Sequence, residues 1–318
     1  MFNYPGKRER TLCLCISGNS TRKIPCSYQS PFNDASNMRT LFLSFILFLS
    51  AASLRGQAPF PSKDEIKQFS ASKTCVVLED DLFSSYNIYI REAVNACWKI
   101  TPFEFITVRD FNIRRLNPAY SFLVLTQTNF DKDKSHGLYN FINLLQGKDI
   151  NKLAEMPEIC AVPLSFAGVD DLVYSYKLGA IVSFMQKHAQ KILEDPSLTL
   201  RKYLKFYNKN IPGIKNKTIL VEQEDLSPEI STIEKIKAIY TSNIEIVTDD
   251  DIIKAIQNKT PDTVILHKVG PMGDRYSGYC FVMLIGTDDS ELYYYNLHMI
   301  DNANPNGLLP EDLKRLER

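Results

Sequence analysis

The sequence predicts an α/β protein: two tandem copies of a β-α-β-α-β unit, each followed by a β-hairpin, joined by a helical connector. Three observations carry this reading. The first is self-similarity. Lys73-Thr74-Cys75-Val76-Val77-Leu78-Glu79-Asp80-Asp81-Leu82 aligns with Lys217-Thr218-Ile219-Leu220-Val221-Glu222-Gln223-Glu224-Asp225-Leu226. Phe103-Glu104-Phe105-Ile106-Thr107 then matches Ile244-Glu245-Ile246-Val247-Thr248. Pro118 with Phe122-Leu123-Val124-Leu125 answers Pro261 with Val264-Ile265-Leu266, and Gly137 answers Gly278. The second observation is that short β-branched runs alternate with stretches of helical period. The third is composition: 44% hydrophobic and 23% charged residues suit a folded chain with a substantial core.

The elements follow in chain order. Residues 75–78 and 219–221 form the first strand of each copy. Helical spacing comes next, with Tyr86, Ile90, Val94 and Cys97 in one copy and Ile230, Ile233, Ile236 and Ile239 in the other. Second strands lie at 103–108 and 244–248. Asp110 and Asp249-Asp250-Asp251 then stand where a helix begins. Carboxylates there accept from free backbone N–H groups and meet the positive end of the helix dipole. Third strands at 121–126 and 263–267 complete each unit, with right-handed parallel crossovers. The stretches 279–285 and 292–299, separated by Gly286-Thr287-Asp288-Asp289-Ser290, read as a hairpin. Its counterpart is 138–145 with 159–166.

Between the copies, Leu172, Tyr176, Ile181, Phe184, Met185 and Ile192 predict one long helix over 171–193, broken by Asp195-Pro196. A second short helix over 198–209 ends at Ile211-Pro212-Gly213. The aromatic side chains of this connector read as packing. The resulting limits are 57–168 for the first repeat, 169–213 for the connector and 214–318 for the second repeat.

The first 56 residues differ from the rest. The apolar run 41–54 would span roughly 21 Å as a helix, at about 1.5 Å per residue. The hydrocarbon core of a bilayer needs about 30 Å. With Arg39 as positive flank and Arg55-Gly56-Gln57-Ala58 as cleavage region, 38–56 instead reads as a signal peptide. Translation is then expected to start at Met38, leaving 1–37 as a non-native N-terminal extension. The expected protein is periplasmic or secreted, with no stable membrane span after signal cleavage. Cys75, Cys97, Cys160 and Cys280 are too widely spaced for a disulfide framework and read as buried thiols.

Charge narrows the partners. After position 56 there are 30 basic and 35 acidic residues, a mild acidic excess that argues against nucleic acid. No nucleotide, zinc or nucleophile-elbow motif occurs, so the sequence names no catalytic residue, metal or cofactor. Gly270-Pro271-Met272-Gly273-Asp274-Arg275 lacks the phosphate-loop spacing and reads as a turn. No pair among His136, His188, His267 and His298 has zinc-helix spacing. The candidate binding residues are Glu79, Asp80 and Asp81, with Glu222, Glu224 and Asp225. Both sets follow the first strand of a repeat, where an open α/β sheet places its crevice. They suit Ca²⁺ or Mg²⁺ through hard oxygen ligands, acid–base work, or simply loop and cap roles.

Lys73-Thr74-Cys75-Val76-Val77-Leu78, the stretch Trp98-Lys99-Ile100-Thr101 to Phe103-Glu104-Phe105-Ile106, Ser121-Phe122-Leu123-Val124-Leu125-Thr126 and His267-Lys268-Val269-Gly270-Pro271 carry a resemblance. They are similar to a family of uncharacterised, signal-peptide-bearing proteins of anaerobic Gram-negative, Bacteroidetes-type bacteria. The likeness runs over most of 70–315, implies compartment and domain limits, and transfers no functional residue. The strand order also resembles, more distantly, the periplasmic α/β domains of the TolB N-terminal and CsgG kind, at the level of fold only. The expectation is an exported envelope module that binds a partner protein without catalysis. Its alternatives are a small-molecule binder with a cleft between two lobes, and an envelope hydrolase using the acidic clusters.

Overall fold

The computed structural model describes residues 8–12, 60–81, 83–200, 203–271 and 277–318. The signal peptide expected at 38–56 lies outside the described residues. Of the segment 1–37, Arg8–Leu12 is described and forms a strand, β1. Among the described residues, no helix is long and apolar enough to cross a membrane.

The first lobe opens with α1 (Lys63–Ala71), set by a capping box in which Ser62 and Glu65 exchange hydrogen bonds. It continues through β2 (Lys73–Val77), α2 (Ser85–Cys97), β3 (Phe103–Ile106), α3 (Val108–Arg114), β4 (Tyr120–Phe130), β5 (Tyr139–Gln146) and β6 (Glu158–Phe166). β2 pairs in parallel with β3 on one side and β4 on the other. β5 and β6 then add antiparallel, giving the order β3-β2-β4-β5-β6. β4 outruns β2, and β1 pairs antiparallel with its far half.

After the connector come β7 (Thr218–Val221), α6 (Ile233–Lys237), β8 (Ile244–Ile246), α7 (Asp249–Gln257), β9 (Thr263–Val269), β10 (Tyr279–Gly286), β11 (Leu292–Met299) and α8 (Pro310–Glu317), where α4 and α5 belong to the connector described below. The order is β8-β7-β9-β10-β11, again with three parallel strands followed by an antiparallel hairpin. The protein is thus mixed α/β with two mixed sheets. Asp110 and Asp251 complete capping boxes with Thr107 and Thr248 at the starts of α3 and α7.

Three elements differ from the sequence expectation. The long connector helix is two helices, α4 (Leu172–Ser175) and α5 (Leu178–Glu194), interrupted at Tyr176 and Lys177. Both interrupting side chains reach into the second lobe, which explains the break. The second connector helix is 3-10 over Tyr203–Ile214; Pro212, which has no N–H to donate, lies inside it. Finally, the Ile230 to Ile239 periodicity yields a 3-10 turn (Pro228–Ile230) and the five-residue α6. Pro228 opens the turn, and Thr232 restarts the chain as N-cap of α6.

The two sheets meet through aromatic side chains. Phe130, Tyr139 and Phe141 of the first sheet pack on Tyr279 and Phe281 of the second, with ring centroids 5.3–6.0 Å apart. The backbone N–H of Tyr279 donates to the Tyr139 hydroxyl at 2.6 Å. These rings share one continuous core with α2 and the buried face of α5. Separate clusters lie around Phe111 and Phe122 in the first lobe and around Tyr240, Leu313 and Leu316 in the second. Because the lobes share a core, a hinge opening between them would expose aromatic surface. Cys75, Cys97, Cys160 and Cys280 are free thiols.

Candidate functional site

Side-chain alternation along the strands of the second sheet dictates what faces the first lobe. On β9, Val264 and Leu266 join the outer cluster while Ile265 and Val269 join the shared core. His267 shares their parity and points inward, where its Nε2 lies 2.9 Å from the Pro163 carbonyl of β6. On β7, Leu220 faces the shared core, so Glu222, just past the strand, does too.

The carboxyl ends of β7 and β9 open onto a cleft of about 340 Å³. Leu164, Ser165, Phe166 and Val169 wall it from the first lobe, and Tyr174, Tyr176 and Lys177 from the connector. The second lobe contributes Glu222, Glu224, Asp225, His267, Lys268, Gly270, Pro271 and Asn306.

Lys177 is 3% exposed and stands at the centre of the charges. Its Nζ lies 2.5 Å from Glu222 Oε2 and 3.2 Å from Asp225 Oδ2. Lys268 approaches the other oxygen of Asp225 at 3.4 Å. The Tyr176 hydroxyl donates to Glu222 Oε1 at 2.5 Å. Burial pulls the Lys177 ammonium down, but Asp225 and Glu222 outweigh it and hold its pKa above the ordinary value. Burial likewise pushes Asp225 up, and Lys177 with Lys268 reverses that, leaving its carboxyl below the usual range. The ions are therefore held charged by one another. Burial drops the His267 ring to about 4, so it is neutral at physiological pH. Its Nδ1 is buried without a hydrogen-bond partner.

Backbone geometry holds the acidic loop under the cleft. Leu308 N–H donates to the Asp225 carbonyl, and Ser227 N–H donates to the Leu308 carbonyl. Gly307 has φ +124°, and a Cβ there would stand 2.8 Å from both the Leu226 carbonyl carbon and the Ser227 nitrogen. Only glycine fits.

The other acidic set is built differently. Asn87 receives the Glu79 N–H and donates its own amide to the Glu79 and Asp81 carbonyls. Asp81 accepts from the Phe83 N–H. The Ser84 hydroxyl lies 2.8 Å from Glu79 and 2.9 Å from Asp171, whose Oδ2 also accepts from the Tyr86 N–H at the start of α2. Burial raises the Glu79 pKa, and Asp171, Asp81 and Asp80 add to it. Asp80 and Asp81 are exposed.

The six sequence candidates thus divide. Glu222, Glu224 and Asp225 line the cleft, whereas Glu79, Asp80 and Asp81 close a loop that touches the connector through Asp171. Sequence reasoning missed Tyr176, Lys177 and Lys268 as members of the site. Tyr176 belongs to the connector's apolar spacing, and no local pattern marks Lys177 or Lys268. Reading the connector aromatics purely as packing holds for Phe184 and Tyr207 but not for Tyr176. His188, His267 and His298 bond separately, to the Tyr207 hydroxyl and to the carbonyls of Pro163 and Pro305. Among the described residues, no three His, Cys, Asp or Glu side chains are grouped to hold a metal ion. No family model, curated protein or solved structure matches the chain.

Proposed function

We propose that the protein is a non-catalytic binding protein of the cell envelope, and that it takes a small ligand in the cleft between its lobes. The observation that carries this reading is the cleft itself: a cavity with apolar walls on one side and convergent polar groups on the other. Its charges are committed in ion pairs. A general base must be free to take a proton, and Asp225, clasped by two lysines, is not; this favours recognition over hydrolysis. The envelope location rests on the signal-peptide reading of 38–56 and on the family resemblance. The same strand order in the two sheets, with the four aligned sequence blocks, supports descent of the lobes from one duplicated unit.

Exposed apolar side chains favour a protein partner as a second reading. Phe83 is 91% exposed, and Leu172 and Val173 are 63% and 46% exposed beside the cleft. Crosslinking in the native host, with and without Phe83→Ser, tests that surface.

The ligand reading is tested by thermal unfolding against metals, nucleotides, sugars, amino acids, amines and peptidoglycan fragments. A ligand at about 100 times its dissociation constant stabilises by roughly 2.7 kcal/mol. For a chain of this size that moves the midpoint by roughly 5–10 °C. Because the lobes share a core, a single transition should move. A flat panel would sink the ligand reading and leave the protein-partner surface.

A further inference from the structure

Two buried acceptors at the cleft are left without partners. A carbonyl oxygen can only accept, so the contact between His267 Nε2 and the Pro163 carbonyl places the ring proton on Nε2. Nδ1 keeps its lone pair, buried and unpartnered on a residue that is 1% exposed and lines the cleft. Asn306 is fixed by the same logic. Its Nδ2 donates to the Pro271 carbonyl at 2.7 Å, which leaves Oδ1 as a second buried acceptor without a partner. Glu224 lines the cleft as an exposed carboxylate and has no partner among the described residues. Buried polar atoms are nearly always satisfied, so orphans that share one cavity point to a missing ligand.

Charge narrows the class. The lining holds two cations, Lys177 and Lys268, against three carboxylates, Glu222, Glu224 and Asp225, with the histidine neutral. One negative charge is left uncompensated. Among the described lining residues both lysines already bond carboxylates, so an anionic ligand would have to compete with those pairs. Among the described residues no three His, Cys, Asp or Glu side chains are grouped to hold a metal ion. A neutral polyol would satisfy the acceptors and leave the charge. An ammonium group satisfies both, because it brings three donors and one positive charge.

From these observations we infer that the cleft takes a compact primary amine, its ammonium seated among His267 Nδ1, Asn306 Oδ1 and Glu224. The apolar body of the amine lies against Phe166, Val169, Val173 and Tyr174. This inference rests on the cleft being a ligand site.

The test is calorimetric titration of the protein with matched probe pairs. Phenethylamine, isobutylamine and leucine amide are each compared with their N-acetyl forms. Acetylation keeps the body and removes the charge and two donors. At least one amine should bind, and its acetyl form should bind about tenfold or more weakly, the scale of a lost charged hydrogen bond. Glu224→Gln, at an exposed position, should weaken the amine severalfold and leave the unfolding midpoint unchanged. His267→Leu should weaken it further. Equal binding of amine and acetyl form overturns the inference. So does binding of sugars or anions in place of amines, although the cleft reading then stands. Silence from every probe class overturns both.

Discussion

Glu79-Asp80-Asp81 and Glu222-Gln223-Glu224-Asp225 follow the first strand of two sheets with the same strand order, yet the fold treats them in opposite ways. In the first lobe the acids stay at the surface and serve the loop. In the second, Glu222 and Asp225 are 5% and 6% exposed and paired with lysines. Two causes separate them. The connector delivers Lys177 to the second lobe, whereas it presents Asp171 to the first, and like charges cannot neutralise Glu79. In addition, α2 runs from Ser85 to Cys97, while its counterpart shrinks to five residues after two 3-10 turns. The shorter path keeps Asp225 tucked against the strand end, where Gly307 lets the Leu308 backbone bind it. The chain places carboxylates at equivalent positions; what arrives opposite them decides whether they become a site.

The sharpest way to break this comparison is to remove the cation. Lys177→Met leaves Glu222 and Asp225 buried with Lys268 as the remaining partner. Breaking a buried pair from one side costs about 3–5 kcal/mol. Each kcal/mol lowers the midpoint by about 2–4 °C at this size. Thermal unfolding measures the loss. A drop no larger than that of a substitution at Glu79 would mean that the two clusters are energetically alike, and the distinction would fail.

This contrast also explains how far the sequence could be read. Strand positions, hairpins and helix caps were legible because local period and capping chemistry fix them. The strands expected at 75–78, 103–108, 219–221 and 263–267 are found at 73–77, 103–106, 218–221 and 263–269, and Asp110 and Asp251 complete the helix caps. Half of the candidate site was legible for the same reason, since carboxylates after a strand are a local pattern. Lys177 was not. Nothing within a few residues marks it, and its role exists only once the connector meets Glu222, 45 residues further on. Glu79 and Glu222 look alike in sequence, because the difference between them lies in the partner and not in the residue.

A second measurement separates the lobes by pH. Burial holds His188 and His267 at about 4 in the folded chain, against an ordinary 6.5. A base with a depressed pKa favours folding above its unfolded value, and that contribution drains away as pH falls from 6.5 toward 4. The slope is about 1.4 kcal/mol per pH unit for each ring. Asp225 adds its own loss only lower, as pH falls through its depressed folded pKa, below the ordinary 3.8. His136 in the first lobe is exposed. Urea unfolding between pH 7 and 4.5 should therefore show a falling stability. Burial lowers His298 as well, so His267→Leu should remove roughly a third to a half of that slope, whatever its effect on absolute stability. An unchanged slope in the variant would show that His267 titrates freely and that its environment is not dry.

The smallest effect is expected at Glu79, and its sign is informative. Its carboxyl is raised by burial and by Asp171, Asp81 and Asp80. An acid with a raised folded pKa disfavours folding once ionised, so at neutral pH the charge works against the first lobe. Glu79→Gln keeps an acceptor for the Ser84 hydroxyl, 2.8 Å away, and removes the repulsion. The variant should be neutral to slightly stabilised, within about 0.5 kcal/mol, with its advantage shrinking as pH falls and the wild-type carboxyl takes up its proton. Chemical unfolding at pH 7 and pH 4 measures both the sign and its pH dependence. A clear destabilisation at pH 7 would mean that the Glu79 charge is used, which would turn the loop of the first lobe from a cap into a second binding element.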